Sequence, residues 1–222
     1  MIQYLSDGIL NYYFHSGIEI ACCGYASETN KPAEVYIPDK VDKYNVTLIS
    51  GGAFKDEASL RKIRFTNSIC HIAAGAFQNC QNLESISIED IFYRWRALRF
   101  AKFAVRDCPN LKMISGCGRD VHLEMWSITE CQSLNALQVK IASIEGQAIA
   151  HCPELHSLEF ARSARLREGA FDELDVQQLF FDDNVVYPEY IETWLPSHAK
   201  IHCQPNSDLV DLAYLGYTIV TK

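Results

Sequence analysis

GAFQNCQNLESISI, residues 75–88, is one statement of a phrase that the chain makes several times. GAFKDEASLRKIRF at 52–65, AIAHCPELHSLEF at 148–160 and GAFDELDVQQLFF at 169–181 share its skeleton. Anchored on the large apolar residue after the alanine, the series is Phe54, Phe77, Val105, Ile128, Ile149 and Phe171, with separations of 23, 28, 23, 21 and 22. A fixed period of this size is the mark of a stacked-repeat architecture. The single long interval places about five extra residues in one loop, between the second and third units.

Other positions keep the same phase. Five residues before the anchor stand Ile49, Ile72, Phe100, Leu123, Ile144 and Leu166. Immediately before it come Ala53, Ala76, Ala104, Ser127, Ala148 and Ala170. After it come Leu60, Leu83, Leu111, Leu134, Leu155 and Val176, then Ile63, Ile86, Ile114, Leu137, Leu158 and Leu179. Two residues further on are Phe65, Ile88, Gly116, Val139, Phe160 and Phe181, with Gly116 the one break. In I-x-I the apolar residues alternate, so that segment is a short strand with one face turned inward. The small residue before the anchor suits a tight bend. One unit cannot bury its apolar side alone, whereas stacking lays like residue over like and makes one continuous core. Six laps spaced by the strand separation extend about 29 Å.

This skeleton, A-F-x-x-C-x-x-L-x-x-I-x-I, resembles the BspA-type leucine-rich repeat, over roughly residues 46–182. The lead-in AEVYIPDKVDKYNVTLISGGAF and the tail WLPSHAKIHCQP also resemble segments that flank such arrays. The resemblance implies a right-handed leucine-rich-repeat solenoid, mainly β with turns and short helices. It also implies adhesin-like or host-interaction roles for exported members. Glu57 and Leu174 at the cysteine position, Gly116 and the insertion near 90–104 depart from the pattern and bear on the third lap's geometry.

The ends supply caps. ILNYYF, HSG and IEIACC form two apolar runs around a glycine turn, a hairpin. Residues 1–45 are thus expected to hold an N-terminal hairpin cap and a lead-in strand, 46–182 about six repeats and 183–222 a C-terminal cap, all in one structural domain. In that last segment Ile201–Cys203 reads as a closing strand. A helix capped by Asp208 and stopped by Gly216 follows, then a short strand at TIVTK.

Two surfaces are candidates for binding. The insertion DIFYRWRALRFAKF, 90–103, gathers Arg94, Arg96, Arg99 and Lys102 with Phe92, Tyr93 and Trp95. Trp, Tyr and Arg are the residue types that anchor interfaces, so this is either a recognition patch or a helical bulge covering its own lap. The second is the strand face, where outward positions such as Lys62, Arg64, Gln138 and Glu159 align into one polar surface. It is either a partner surface or solvated exterior.

Chemistry is weakly signalled. Cys80, Cys108, Cys131 and Cys152 share one repeat position, so they form a line along the stack and cannot converge on one metal ion. Their bland role is that of small buried hydrophobes, with disulfides between neighbours open in an oxidising compartment. Cys22-Cys23, Cys70-His71 and His151-Cys152 are sequence neighbours, whose side chains diverge in a strand. G-x-S-x-G, H-E-x-x-H, the Walker loop and G-x-G-x-x-G do not occur. Glu89-Asp90 and Asp182-Asp183 read as solvated carboxylates.

The chain of 222 residues carries a formal charge of −8, which argues against a nucleic-acid backbone or an anionic membrane as the main partner. No run approaches a membrane span. MIQYLSDGIL has no basic segment leading into an apolar run, so the chain as written reads as cytoplasmic, or as surface-exposed or secreted where a leader precedes it. The expectation is a non-catalytic module that recognises a protein or glycan, without cofactor or metal. A thiol-dependent enzyme and a structural spacer are the alternatives.

Overall fold

The computed structural model describes residues 4–90, 97–182, 185–186, 190–191 and 195–221. Each lap of chain crosses three faces, and each face stacks on the same face of the next lap. The first carries the I-x-I segments: Glu34–Ile37, Lys62–Thr66, Ser85–Glu89, the first part of each long strand Met113–Leu123, Ala136–Ile144 and Ser157–Leu166, then Gln178–Phe181, Lys200–Cys203 and Thr218–Thr221. Pairing along it is parallel. Val35, Ile63, Ile86, Ile114 and Leu137 stand in one register, and Leu158, Leu179, Ile201 and Ile219 in another. Between the two runs the register slips, with Ile141 opposite Phe160.

The second face is built from Glu19–Tyr25, Tyr44–Ile49, His71–Ile72, Leu98–Phe100 and the far ends of the three long strands. Its inward column runs Cys22, Ile49, Ile72, Phe100, Leu123, Ile144, Leu166, one residue per lap. All seven are at most 3% exposed, so the apolar column five residues before the anchor is a strand in its own right. The third face is a ladder of two-residue strands, Phe77–Gln78, Val105–Arg106, Ile128–Thr129 and Ile149–Ala150. It places the anchors Phe77, Val105, Ile128 and Ile149 in register.

Two left-handed turns per lap make the corners around the third face. Two residues before the anchor, Gly52, Gly75, Phe103, Trp126, Gln147 and Gly169 have φ from 53° to 73°. Two residues after it, Asp56, Asn79, Asp107, Glu130, His151 and Glu173 have φ from 53° to 66°. Turning there aims backbone groups at the next lap. Asn79 N–H donates to the Arg106 carbonyl at 2.8 Å, and Phe103 N–H to the Trp126 carbonyl at 2.8 Å. The polar groups of each bend are thereby satisfied between laps.

The insertion leaves the stack intact, because Phe100 sits in register between Ile72 and Leu123. Residues 97–103 are therefore not a helical bulge; Leu98–Phe100 is a rung of the second face. Gly116 is explained by space. Its φ is 95°, and a β-carbon there would stand 1.9 Å from the Ile88 carbonyl oxygen. The strand bulges just beyond, where pairing jumps from Ser115 to Asp120.

At the N-terminal end, Leu10–Ser16 and Glu19–Tyr25 form the expected antiparallel hairpin, with Tyr4–Ser6 added as a third strand. At the other end Lys200–Cys203 does not close the sheet: Thr218–Thr221 pairs with it in parallel. The intervening helix, Asp208–Leu215, is a 3-10 helix capped by Ser207 rather than Asp208, the Ser207 hydroxyl accepting from the Leu209 N–H. A single apolar core runs from Leu10 through the stack to Leu212.

Candidate functional site

The outward rows of the first face are what the sequence pattern leaves free. One row reads Tyr36, Arg64, Ser87, Ser115 and Gln138 in register, continuing as Glu159, Phe180, His202 and Val220. Arg64 lies at its charged start, with Lys62 in the neighbouring outward row beside Glu34 and Ser85. Lys62 pairs with Glu34 at 2.8 Å, and Arg64 with Glu89 at 3.1 Å, while the Arg64 guanidinium rests 5.6 Å from the Tyr36 ring centre. A shallow cavity of about 280 Å³ lies over Tyr36, Arg64, Ser85 and Ser87. Serines make the middle of the face flat. Gln138 follows, three rungs from Arg64, or about 14 Å by strand spacing. Beyond it Lys140 bridges Glu159 at 2.5 Å and Asp182 at 3.0 Å, and Phe180 stacks on His202 with centres 4.2 Å apart.

The predicted binding residues do not form one site. Lys62, Arg64, Gln138 and Glu159 share the first face, whereas Arg99 stands on the second, paired with Glu124 at 3.2 Å. Arg99 lies in a row between His71 and His122. Burial lowers the pKa of both histidines, and the Arg99 charge adds to the effect. Tyr93, Arg94, Trp95 and Arg96 lie outside the described residues. Glu89, Asp90 and Asp182 are not free carboxylates. Glu89 and Asp182 are ion-paired as above, and Asp90 accepts from the Gly118 N–H at 2.9 Å.

The cysteine column is a ladder inside the core. The Cys80 thiol donates to the Phe54 carbonyl at 2.9 Å and the Cys108 thiol to the Phe77 carbonyl at 3.0 Å. All four thiols are at most 2% exposed, and none of the four is in a disulfide. Neighbouring thiols set each other's protonation. Contact with the Cys108 and Cys152 sulfurs, with burial, pushes Cys131 well above the usual thiol range, and contact with Cys108 does the same to Cys80. Contact with the Cys131 sulfur acts in the opposite direction on Cys108 and Cys152. The sequence-adjacent histidine is no partner for Cys152, because the His151 ring points outward to Glu173 at 3.1 Å. Cys70 likewise donates to the Thr47 carbonyl at 3.3 Å, away from outward-facing His71. Among the described residues no cluster of three or more His, Cys, Asp or Glu is placed to hold a metal ion.

A surface cluster that pattern reading met only through Lys102, as part of the insertion, lies at the corner between the second and third faces. Phe103 and Trp126 occupy the left-handed position that glycine holds in three other laps. Their rings stack with centres 5.6 Å apart and planes 13° apart. The Lys102 ammonium lies 4.3 Å from the Trp126 ring centre and 5.0 Å from that of Phe103, and the Arg106 guanidinium 4.9 Å from Phe103. Trp126 Nε1 donates to Gln147 Oε1 at 2.9 Å, so the column spans three laps. The signal was present in the sequence: aligning the residue two before each anchor gives Gly, Gly, Phe, Trp, Gln, Gly.

Stacked parallel strands on successive laps, with leucine, cysteine and isoleucine in fixed columns, define a leucine-rich-repeat solenoid. Residues 33–116 and 96–190 match the family model for the BspA type leucine rich repeat region, in six copies, and the chain belongs to that family. A leucine rich repeat protein of T. pallidum is similar in structure, with a TM-score of 0.55 at 18% identity, 98% of each chain being covered. A leucine rich cell surface protein of Faecalibacterium prausnitzii A2-165 gives a TM-score of 0.46 at 13% identity, over 90% of this chain and 76% of that one. A leucine-rich repeat protein of Bacteroides ovatus ATCC 8483 gives 0.41 at 17% identity, over 97% and 66%. No curated protein matches the sequence.

Proposed function

We propose that this chain is a non-catalytic recognition module that holds a protein or glycan partner on the outward rows of its first face. One observation carries the reading. Along that face the inward columns are apolar, with Gly116 the break, while the outward row varies in chemistry, from Tyr36 and Arg64 through two serines to Gln138, Glu159 and Phe180. A stack constrains only the residues it buries, so the varied row is where specificity can be written. Lys62 and Arg64 give charge near one end, Gln138 and Glu159 polar groups farther along, and the serine stretch between them lets a partner lie across both. The four ladder thiols Cys80, Cys108, Cys131 and Cys152 are enclosed in the core, which supports binding over chemistry at that column.

Peptide and glycan arrays probed with the intact chain test the proposal. A ligand retained by the wild type and lost by the double variants Lys62→Glu with Arg64→Glu, and Gln138→Ala with Glu159→Ala, is the expected result. Array ligands that bind all of these variants as tightly as wild type would overturn it.

A further inference from the structure

We propose that the corner carried by Lys102, Phe103 and Trp126 is a second binding site, separate from the first face, for an acidic peptide segment of a partner protein. The fold itself shows what the corner needs. Gly52, Gly75 and Gly169 take it at φ of 67°, 68° and 73°. A side chain in this conformation brings its β-carbon against the following carbonyl, so Phe103 at 59° and Trp126 at 56° are strained where glycine would serve. Such strain persists where the surroundings hold it, and it gathers at functional sites.

The core does not call for these rings. Ala104, Val105, Ser127 and Ile128 beside them are already fully buried, and the two aromatic side chains are half-buried at the surface. What the stack does is hold cations. Each ring covers a face of the other, Lys102 lies over both, and Arg106 lies over Phe103. A sugar recognised by aromatic stacking needs a ring face to lie on, and here those faces are engaged. What the corner offers outward is positive charge with its side-chain freedom already spent, the arrangement that lowers the cost of binding an anion.

The charge pattern names the partner's chemistry. In a chain of net charge −8, Lys102 rests on aromatic rings, and no carboxylate among the described residues is in ion-pair contact with it. Arg106 keeps one carboxylate neighbour, Asp107 at 3.1 Å. Met125, 48% exposed, flanks Trp126 with a flexible apolar side chain suited to packing against a peptide. Carboxylates over Lys102 and Arg106, with apolar contact to Met125 and the ring edges, fit an acidic peptide.

The test is fluorescence anisotropy of a fluorescein-labelled glutamate dodecapeptide titrated with the intact chain, with polygalacturonate as the carboxylated glycan in a parallel arm. The peptide should bind, more weakly as salt rises. Lys102→Gln and the pair Phe103→Gly with Trp126→Gly should each weaken it at least about tenfold, as expected for anchor residues. Lys40→Ala, in the N-terminal lead-in and in neither proposed surface, should leave it unchanged. The glycine pair reproduces what three laps already carry, and Lys102→Gln, a surface change, keeps the test standing if that pair unfolds. Peptide affinity equal in wild type, Lys102→Gln and the glycine pair would overturn the proposal. So would binding of polygalacturonate without the peptide, no binding of the peptide, or loss on Lys40→Ala alone. None of these touches the first-face reading, which the array experiment decides separately.

Discussion

Phe54 and Phe77 lie face to face inside the stack, ring centres 5.6 Å apart and planes 7° apart, each supplied by the same position of successive laps. Both are fully buried, and the column continues as Val105, Ile128 and Ile149. The anchor position therefore demands bulk, not aromaticity. Phe77→Ala is expected to cost about 3–5 kcal/mol by leaving a cavity, and Phe77→Leu about 1–1.5 kcal/mol. Urea unfolding monitored by circular dichroism measures both. Equal losses for the two would contradict the packing account.

Glycines divide into those that need space and those that need only a bend. At Gly116 an added β-carbon meets the Ile88 carbonyl at 1.9 Å, whereas at Gly52 the nearest atom is 3.9 Å away. Both have positive φ. Gly52→Ala should cost about 1–2 kcal/mol from backbone strain alone. Gly116→Ala should cost clearly more, because the neighbouring strand must move as well. Comparing their denaturation midpoints checks the order.

The cysteine ladder makes a chemical prediction. Cys80, Cys108, Cys131 and Cys152 are enclosed by packing, so a thiol reagent should modify them only at the rate of unfolding. Peptide-resolved alkylation of the native chain should leave these four unlabelled while Cys23 and Cys70, which are half-buried, react first. Rapid labelling of Cys108 or Cys152 in the folded chain would reopen the case for thiol chemistry.

Stability should fall on mild acidification. His71 and His122 are held neutral by burial, so their folded pKa lies below the ordinary value of about 6.5 that they regain on unfolding. The unfolded chain then binds more protons, and the stability present above about pH 6.5 is lost as pH falls toward the folded values. Glu34 and Glu84, held low by hydrogen bonds to Lys62 and Arg61, titrate below that window. The melting temperature should drop between pH 7.5 and 5.5, and less so in a His71→Gln, His122→Gln chain. An unchanged drop in that variant would assign the effect elsewhere.

The repeat made most of the architecture legible. Period-two alternation is readable in five residues, so the strands of the first face, such as Ser85–Glu89, are plain in I-x-I. The other faces are built from strands as short as Phe77–Gln78, too brief to show any period. Beyond the hairpin strand Glu19–Tyr25 and the segment at 46–49, which the sequence did mark as strands, their columns of like residues could be counted but not recognised as strands, because the pairing that makes them strands lies between laps. Gly116 looked like a fault in the core column for the same reason: its cause is the Ile88 carbonyl one lap away. The helix start moved from Asp208 to Ser207 because either side chain can cap and local sequence does not choose. Of the candidate site, the outward residues of the first face followed from alternation. Arg99 was grouped with an insertion when it belongs to a rung of the second face. The Phe103–Trp126 corner was missed because a glycine column interrupted by aromatics resembles ordinary variation until the backbone angles are known.

Side-chain oxidation by hydroxyl radicals, with and without a ligand taken from the arrays, tests most directly whether the first face is the recognition surface. Tyr36, Met113 and Phe180 report from that face, while Tyr4 and Tyr214, 60% and 91% exposed, report from elsewhere. The ligand should protect Tyr36, Met113 and Phe180 and leave Tyr4 and Tyr214 as reactive as before. Protection of Tyr4 or Tyr214, with the three face residues unchanged, would contradict it.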